Sequence, residues 1–149
     1  MDTPEQFTED FESDYVFRLL SVPIKDPLFF SFMDITVLSG TIVFFNTSRW
    51  KADQPTRGNI LTLSPNSKAK FEFDFPVRSV RFGCAAGDSS CEFNYYDSDG
   101  KLLQTARPPK YNGERYRWID YARDTADIKS VEITDRGTVT ELDNFIVQK

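Results

Sequence analysis

Short runs in which apolar and polar side chains alternate recur along this chain. The clearest is Phe71-Glu72-Phe73-Asp74-Phe75, whose three phenylalanines fall on one face of a strand and whose two acids fall on the other. Pro76 is expected to end it, since proline cannot donate to a central ladder. Over residues 77–84, Val80 and Phe82 share a face opposite Ser79 and Arg81. Over 91–97, Phe93 and Tyr95 join the face of Cys91, with Glu92, Asn94 and Tyr96 opposite. Further strands are predicted at 15–20 (YVFRLL), 29–38, 41–46, 59–63, 101–104, 115–121, 128–134 and 138–147.

Turn chemistry separates these runs. Ser39-Gly40 predicts a hairpin between 29–38 and 41–46, and Ser98-Asp99-Gly100 a tight hairpin into 101–104. Asp135-Arg136-Gly137 joins the last two strands, and the longest loops are expected at 49–57 and 105–113. Many short strands with Gly, Pro and Asp turns predict an all-β antiparallel sandwich or jelly roll, with 1–149 as a single domain. Fourteen phenylalanines among 149 residues strengthen that reading, because aromatic residues favour packed sheets.

Charge and composition narrow the chemistry. A formal net charge of -5 does not draw the whole molecule to nucleic acid or to an anionic membrane. No stretch approaches the roughly 20 apolar residues of a membrane helix, so membrane insertion is not expected. The acidic, polar beginning is not a secretory signal, which leaves a cytoplasmic protein or a module of a longer exported chain. Cys84 and Cys91 flank a turn-like stretch and would face each other across a hairpin, either as a disulfide or as two reduced, buried thiols. Two cysteines without a histidine do not make a four-ligand zinc site.

Catalytic constellations are missing as well. With no histidine, neither a Ser-His-Asp nor a Cys-His arrangement is possible, and no acidic pair stands in a context that suggests a raised pKa. A non-catalytic role is therefore expected. Candidate ligand contacts are aromatics with polar neighbours. Trp50 lies in a loop between Arg49 and Lys51, as a stacking platform or as a plug folded onto the core. Tyr111 stands in a loop with Pro108 and Pro109 and is the better candidate for exposure in its region. Tyr116 and Trp118 alternate with Arg115 and Arg117. That pattern makes a buried Tyr116/Trp118 pair the simpler expectation and turns Arg117 to the other face. Tyr96 joins Glu92 and Asn94 in a polar-aromatic stripe.

Taken in order, several pieces resemble the galactose-binding-like jelly rolls of bacterial proteins, a superfamily with many carbohydrate-binding modules. They are Asp10-Phe11-Glu12, residues 71–75, residues 76–80, Tyr96-Asp97-Ser98-Asp99-Gly100, residues 128–133 and Leu142-Asp143-Asn144-Phe145. The match covers about half of the chain and is strongest after residue 70. This resemblance implies a carbohydrate-binding-like module whose partner is a glycan or polysaccharide, contacted by Trp50, Tyr96, Tyr111 and Arg117. A protein-interaction or adhesion domain on the same scaffold is the alternative. It also implies a structural calcium where the first and last strands meet, with Asp10, Glu12 and Asp143 supplying side-chain oxygens. Calcium takes six to eight oxygens and needs neither histidine nor cysteine.

Overall fold

A computed structural model describes residues 5–47, 58–85, 91–108, 116–137 and 139–149. The chain begins with β1 (Gln6–Glu9) and a four-residue helix, α1 (Asp14–Phe17). Then come β2 (Leu28–Phe29), β3 (Met33–Ser39), β4 (Ile42–Thr47), β5 (Gly58–Leu63) and β6 (Lys68–Val77). The series closes with β7 (Ser79–Ala85), β8 (Cys91–Tyr96), β9 (Leu102–Ala106), β10 (Tyr116–Ala122), β11 (Ile128–Asp135) and β12 (Thr140–Gln148).

Two antiparallel sheets form a sandwich. Sheet I runs β10-β7-β12-β5-β4, with β1 added beside β12; sheet II runs β2-β3-β6-β11-β8-β9. Successive strands mostly change sheet, which gives the jelly-roll path. Aromatic rings from both sheets fill the middle. Phe145 of β12 stacks on Phe71 of β6 at 4.7 Å and on Phe82 of β7 at 5.1 Å, and Phe82 meets Phe93 of β8 edge-on at 5.2 Å. All four side chains are fully buried. The alternation read from the sequence thus assigns the interior of β6, β7 and β8 correctly.

Several local expectations are corrected. Residues 15–20 are not a strand. Ser13 caps α1 by accepting the Val16 N–H, and only Val16 of that turn is buried. Nor do β3 and β4 form a hairpin. They lie in opposite sheets, and the chain passes between them at Gly40, which adopts a φ of +73° and, lacking a Cβ, leaves room for the Ser67 hydroxyl to accept the Thr41 N–H. Strand 29–38 divides as well, because β2 turns back to pair with β3. Pro76 does not end its strand: β6 runs on to Val77 with the proline exposed.

Cys84 and Cys91 do not sit on a hairpin either, since β7 belongs to sheet I and β8 to sheet II. Both thiols are free and buried. A hydrogen bond with Cys91, together with burial, pushes the Cys84 thiol well above its ordinary range. Such a thiol is a packing element, because reactivity requires the thiolate. The Asp97–Lys101 turn does form the expected hairpin, with Asp97 accepting the N–H groups of Asp99 and Lys101.

Candidate functional site

Antiparallel register fixes which side chains stand together on the outer face of sheet I. At one level Ala122, Ser79, Gln148 and Gln6 line up across β10, β7, β12 and β1. At the next, Asp120, Arg81, Ile146 and Thr8 do the same. All of these but Thr8 line an open groove of about 380 Å³. A line of hydrogen bonds runs along its floor: Ser79 Oγ donates to Gln148 Oε1 at 3.3 Å, and Gln148 Nε2 donates to Gln6 Oε1 at 3.1 Å.

Arg81 dominates the upper lip of the groove. Its Nε lies 3.3 Å from Asp120, and its guanidinium sits 4.4 Å from the centre of the Trp118 ring. Trp118 shares the outward face with Asp120, two residues on, whereas Ile119 and Tyr121 turn inward, with Tyr121 against Tyr95 at 4.5 Å. The expectation of a buried Trp118 is therefore overturned. Alternation alone does not say which face of β10 is core, and the inward face is the one of Ile119 and Tyr121. Trp118, Arg81 and Asp120 are the functional candidates that sequence reasoning missed. The cross-strand pairing of Arg81 with Asp120 was their signal, and it becomes visible only once β7 is set beside β10.

Of the predicted ligand residues, the two that are described, Tyr96 and Arg117, do not meet in one place. Trp50 and Tyr111 lie outside the described residues. Arg117 pairs in register with Cys84 and shares the face of Ile119 and Tyr121, so it is turned away from the groove. Tyr96 stands on the outer face of sheet II, as its alternation predicts, beside a second groove of about 270 Å³ with Lys70, Glu72, Lys129 and Glu132. Burial first, then the Glu132 carboxylate, raises the pKa of Tyr96. Charges there have partners: Lys70 lies 3.3 Å from Glu72, Lys68 lies 3.4 Å from Glu132, and Lys129 donates to the Phe73 carbonyl.

The acidic ends of the chain meet along β12. Beside it, β5 pairs with Thr140–Leu142 and β1 with Phe145–Gln148, so the interval at Asp143 and Asn144 faces the gap between those strands. Asn144 takes a left-handed φ of 52° there, and Asp143, almost fully buried, accepts its N–H at 2.8 Å. Across the gap, Glu12 accepts the Asn59 N–H at 2.7 Å, and a Cβ at Gly58 would lie 2.1 Å from the same oxygen. Asp10 is exposed and accepts the Glu12 N–H.

Phe11 is also left-handed, at φ 61°, yet fully buried. That backbone costs roughly 1–2 kcal/mol, less than the roughly 3–5 kcal/mol that a core phenylalanine is worth against alanine. Packing wins, helped by Glu9, which accepts the Phe11 N–H, and by Asn59, which donates to its carbonyl. As a cation site, the junction offers hard oxygen donors in Glu12 and Asp143. Among the described residues, however, no three acidic or cysteine side chains converge on one point. Glu12 and Asp143 alone do not make up the six to eight oxygens that calcium takes.

No protein-family model matches this chain, and no curated protein matches it. Solved structures do match its fold. The C-terminal family 6 carbohydrate-binding module of the laminarinase LamC from Zobellia galactanivorans is 8% identical, with a TM-score of 0.51 over 97% of this chain and 100% of that one. Another family 6 carbohydrate-binding module is 15% identical, with a TM-score of 0.50 over 76% of this chain and 86% of that one. The cleaved adhesin domain of Lys-gingipain from Porphyromonas gingivalis is 11% identical, with a TM-score of 0.50 over 96% and 97%. The chain thus has the β-sandwich fold of the jelly-roll carbohydrate-binding modules. At these identities the likeness establishes the fold, and function has to be argued from the site.

Proposed function

We propose that this protein is a non-catalytic carbohydrate-binding module whose ligand lies on the outer face of sheet I. The observation that carries the reading is the groove itself. A guanidinium–carboxylate pair and a row of amide and hydroxyl groups line it, and the half-buried Trp118 ring stands beside it under the Arg81 guanidinium. Sugars offer apolar ring faces to an aromatic and hydroxyls to planar polar groups, so this combination suits them. Arg81 covers one face of Trp118, and a sugar that stacked there would displace it.

A panel of soluble polysaccharides, tested with the folded protein, checks this reading. Trp118→Ala and Arg81→Ala are each expected to weaken the strongest hit at least about tenfold, or roughly 1.4 kcal/mol. Binding that survives both changes but is lost in Trp50→Ala or Tyr111→Ala would move the site to those loops. A panel without any hit would overturn the carbohydrate reading.

The proposal includes a structural calcium at the junction, held by Glu12 and Asp143 with backbone and amide oxygens completing the shell. It would join the first and last strands and leave the groove untouched. Chelator is expected to lower the melting temperature of the native protein and to leave that of Glu12→Gln unchanged. Equal melting with calcium and with chelator would remove the metal from the account.

An adhesion or protein-interaction role is the second reading. It is favoured by the exposed apolar side chains around α1 and β2, namely Tyr15, Phe17, Val22 and above all Phe29, which is 67% exposed. A protein that binds no glycan, and whose partner is lost in Phe29→Ser, would fit it.

A further inference from the structure

We propose that the groove on sheet I takes the interior of a linear, uncharged polysaccharide chain laid across the strands, and not a chain end. The inference rests on the carbohydrate reading above and specifies its ligand. All the described residues that line the groove come from four neighbouring strands, in the order β10-β7-β12-β1. Among the described residues no strand lies beyond β10 on one side or beyond β1 on the other. The groove therefore runs from one edge of the sheet to the other. Three interstrand steps of about 4.8 Å give it a reach of about 14 Å, more than a single sugar ring bridges.

Its polar groups are arranged along that same direction. Ser79 on β7, Gln148 on β12 and Gln6 on β1 form the hydrogen-bonded row, one group per strand. A chain lying across the strands meets a fresh hydroxyl or amide at each step, whereas a chain end would use only one of them. The row is already assembled before any ligand arrives, so less ordering cost falls on binding.

Charge selects the class. Among the described residues, Arg81 and Asp120 are the only charged ones lining the groove, and they neutralise each other at 3.3 Å. A uronate or sulfate group would meet Asp120 along with Arg81 and would have to break their pair. Uncharged sugars meet donors and acceptors in balance.

The test uses neutral cello- and xylo-oligosaccharides, from disaccharide to hexasaccharide, with polygalacturonate as the charged probe, followed by calorimetry. Affinity for the bound neutral series is expected to rise about tenfold between disaccharide and tetrasaccharide. It should then level off, stay within twofold when the reducing end is converted to an alditol, and change little with salt. Gln6→Ala, on the exposed β1 edge, should lower hexasaccharide affinity about fivefold. Equal affinity for disaccharide and hexasaccharide, loss of binding on end reduction, or tighter binding of polygalacturonate would each overturn this inference and leave the carbohydrate reading standing. No binding to any neutral or acidic glycan would overturn both.

Discussion

Single residues carry conflicts that the fold tolerates, and two of them lead to predictions. Tyr95 is fully buried between the sheets, and its hydroxyl finds no hydrogen-bond partner among the described residues. A buried, unpaired hydroxyl costs roughly 1–3 kcal/mol, so Tyr95→Phe is expected to raise stability by about 1 kcal/mol in denaturant unfolding. Asp34 is a conflict of charge. Burial first, then Asp74 and Glu72, raises its pKa, and Lys129 offsets this only in part. Its folded form therefore holds a proton more readily than the unfolded chain does. This group's contribution is fully present below the ordinary aspartate value of about 3.9 and is lost as pH rises through the higher folded value. Asp34→Asn should be more stable than the native protein at neutral pH, with the difference shrinking toward pH 4, as thermal melts at the two pH values would show. An equal difference at both would mean that the carboxyl is not perturbed.

Elements depend on residues that no alternation pattern announces. Asn59, at the start of β5, donates its N–H to Glu12 and its amide to the Phe11 carbonyl, and accepts from Asn46. It thereby ties β5 to the end of β1 across a gap in the ladder. Asn59→Ala leaves a buried carbonyl without its donor and is expected to cost about 2 kcal/mol, measured as a lower denaturation midpoint. Unchanged stability would show that the junction is held elsewhere. Periodicity made β6, β7, β8 and β11 legible, because each buries one face in a core of phenylalanines. The Ser39-Gly40 and Cys84–Cys91 connections were misread for a physical reason. A glycine turn reads alike in a hairpin and in a crossing between sheets, and only the partner strands distinguish them. Residues 15–20 look like a strand because five of them are apolar, but the Ser13 cap turns the first three into part of a helical turn.

At the scale of the whole molecule, the sandwich brings the two ends of the chain to one strand, β12, and leaves two outer faces with different characters. The face of sheet II is laced with ion pairs. That of sheet I holds the groove with its aromatic and amide row. The fold class and the meeting of the acidic termini were legible in the sequence, since they depend on strand count and on motifs near each end. The groove was not, because Gln6, Arg81, Asp120 and Gln148 come from four strands whose order only the folded sheet supplies. Its location is the central claim, and amide chemical-shift mapping tests it most directly. With the strongest-binding oligosaccharide added, shifts are expected at residues 6–8, 79–81, 118–122 and 146–148. Shifts confined to the sheet II face around Lys70, Tyr96 and Lys129, with none on sheet I, would contradict it.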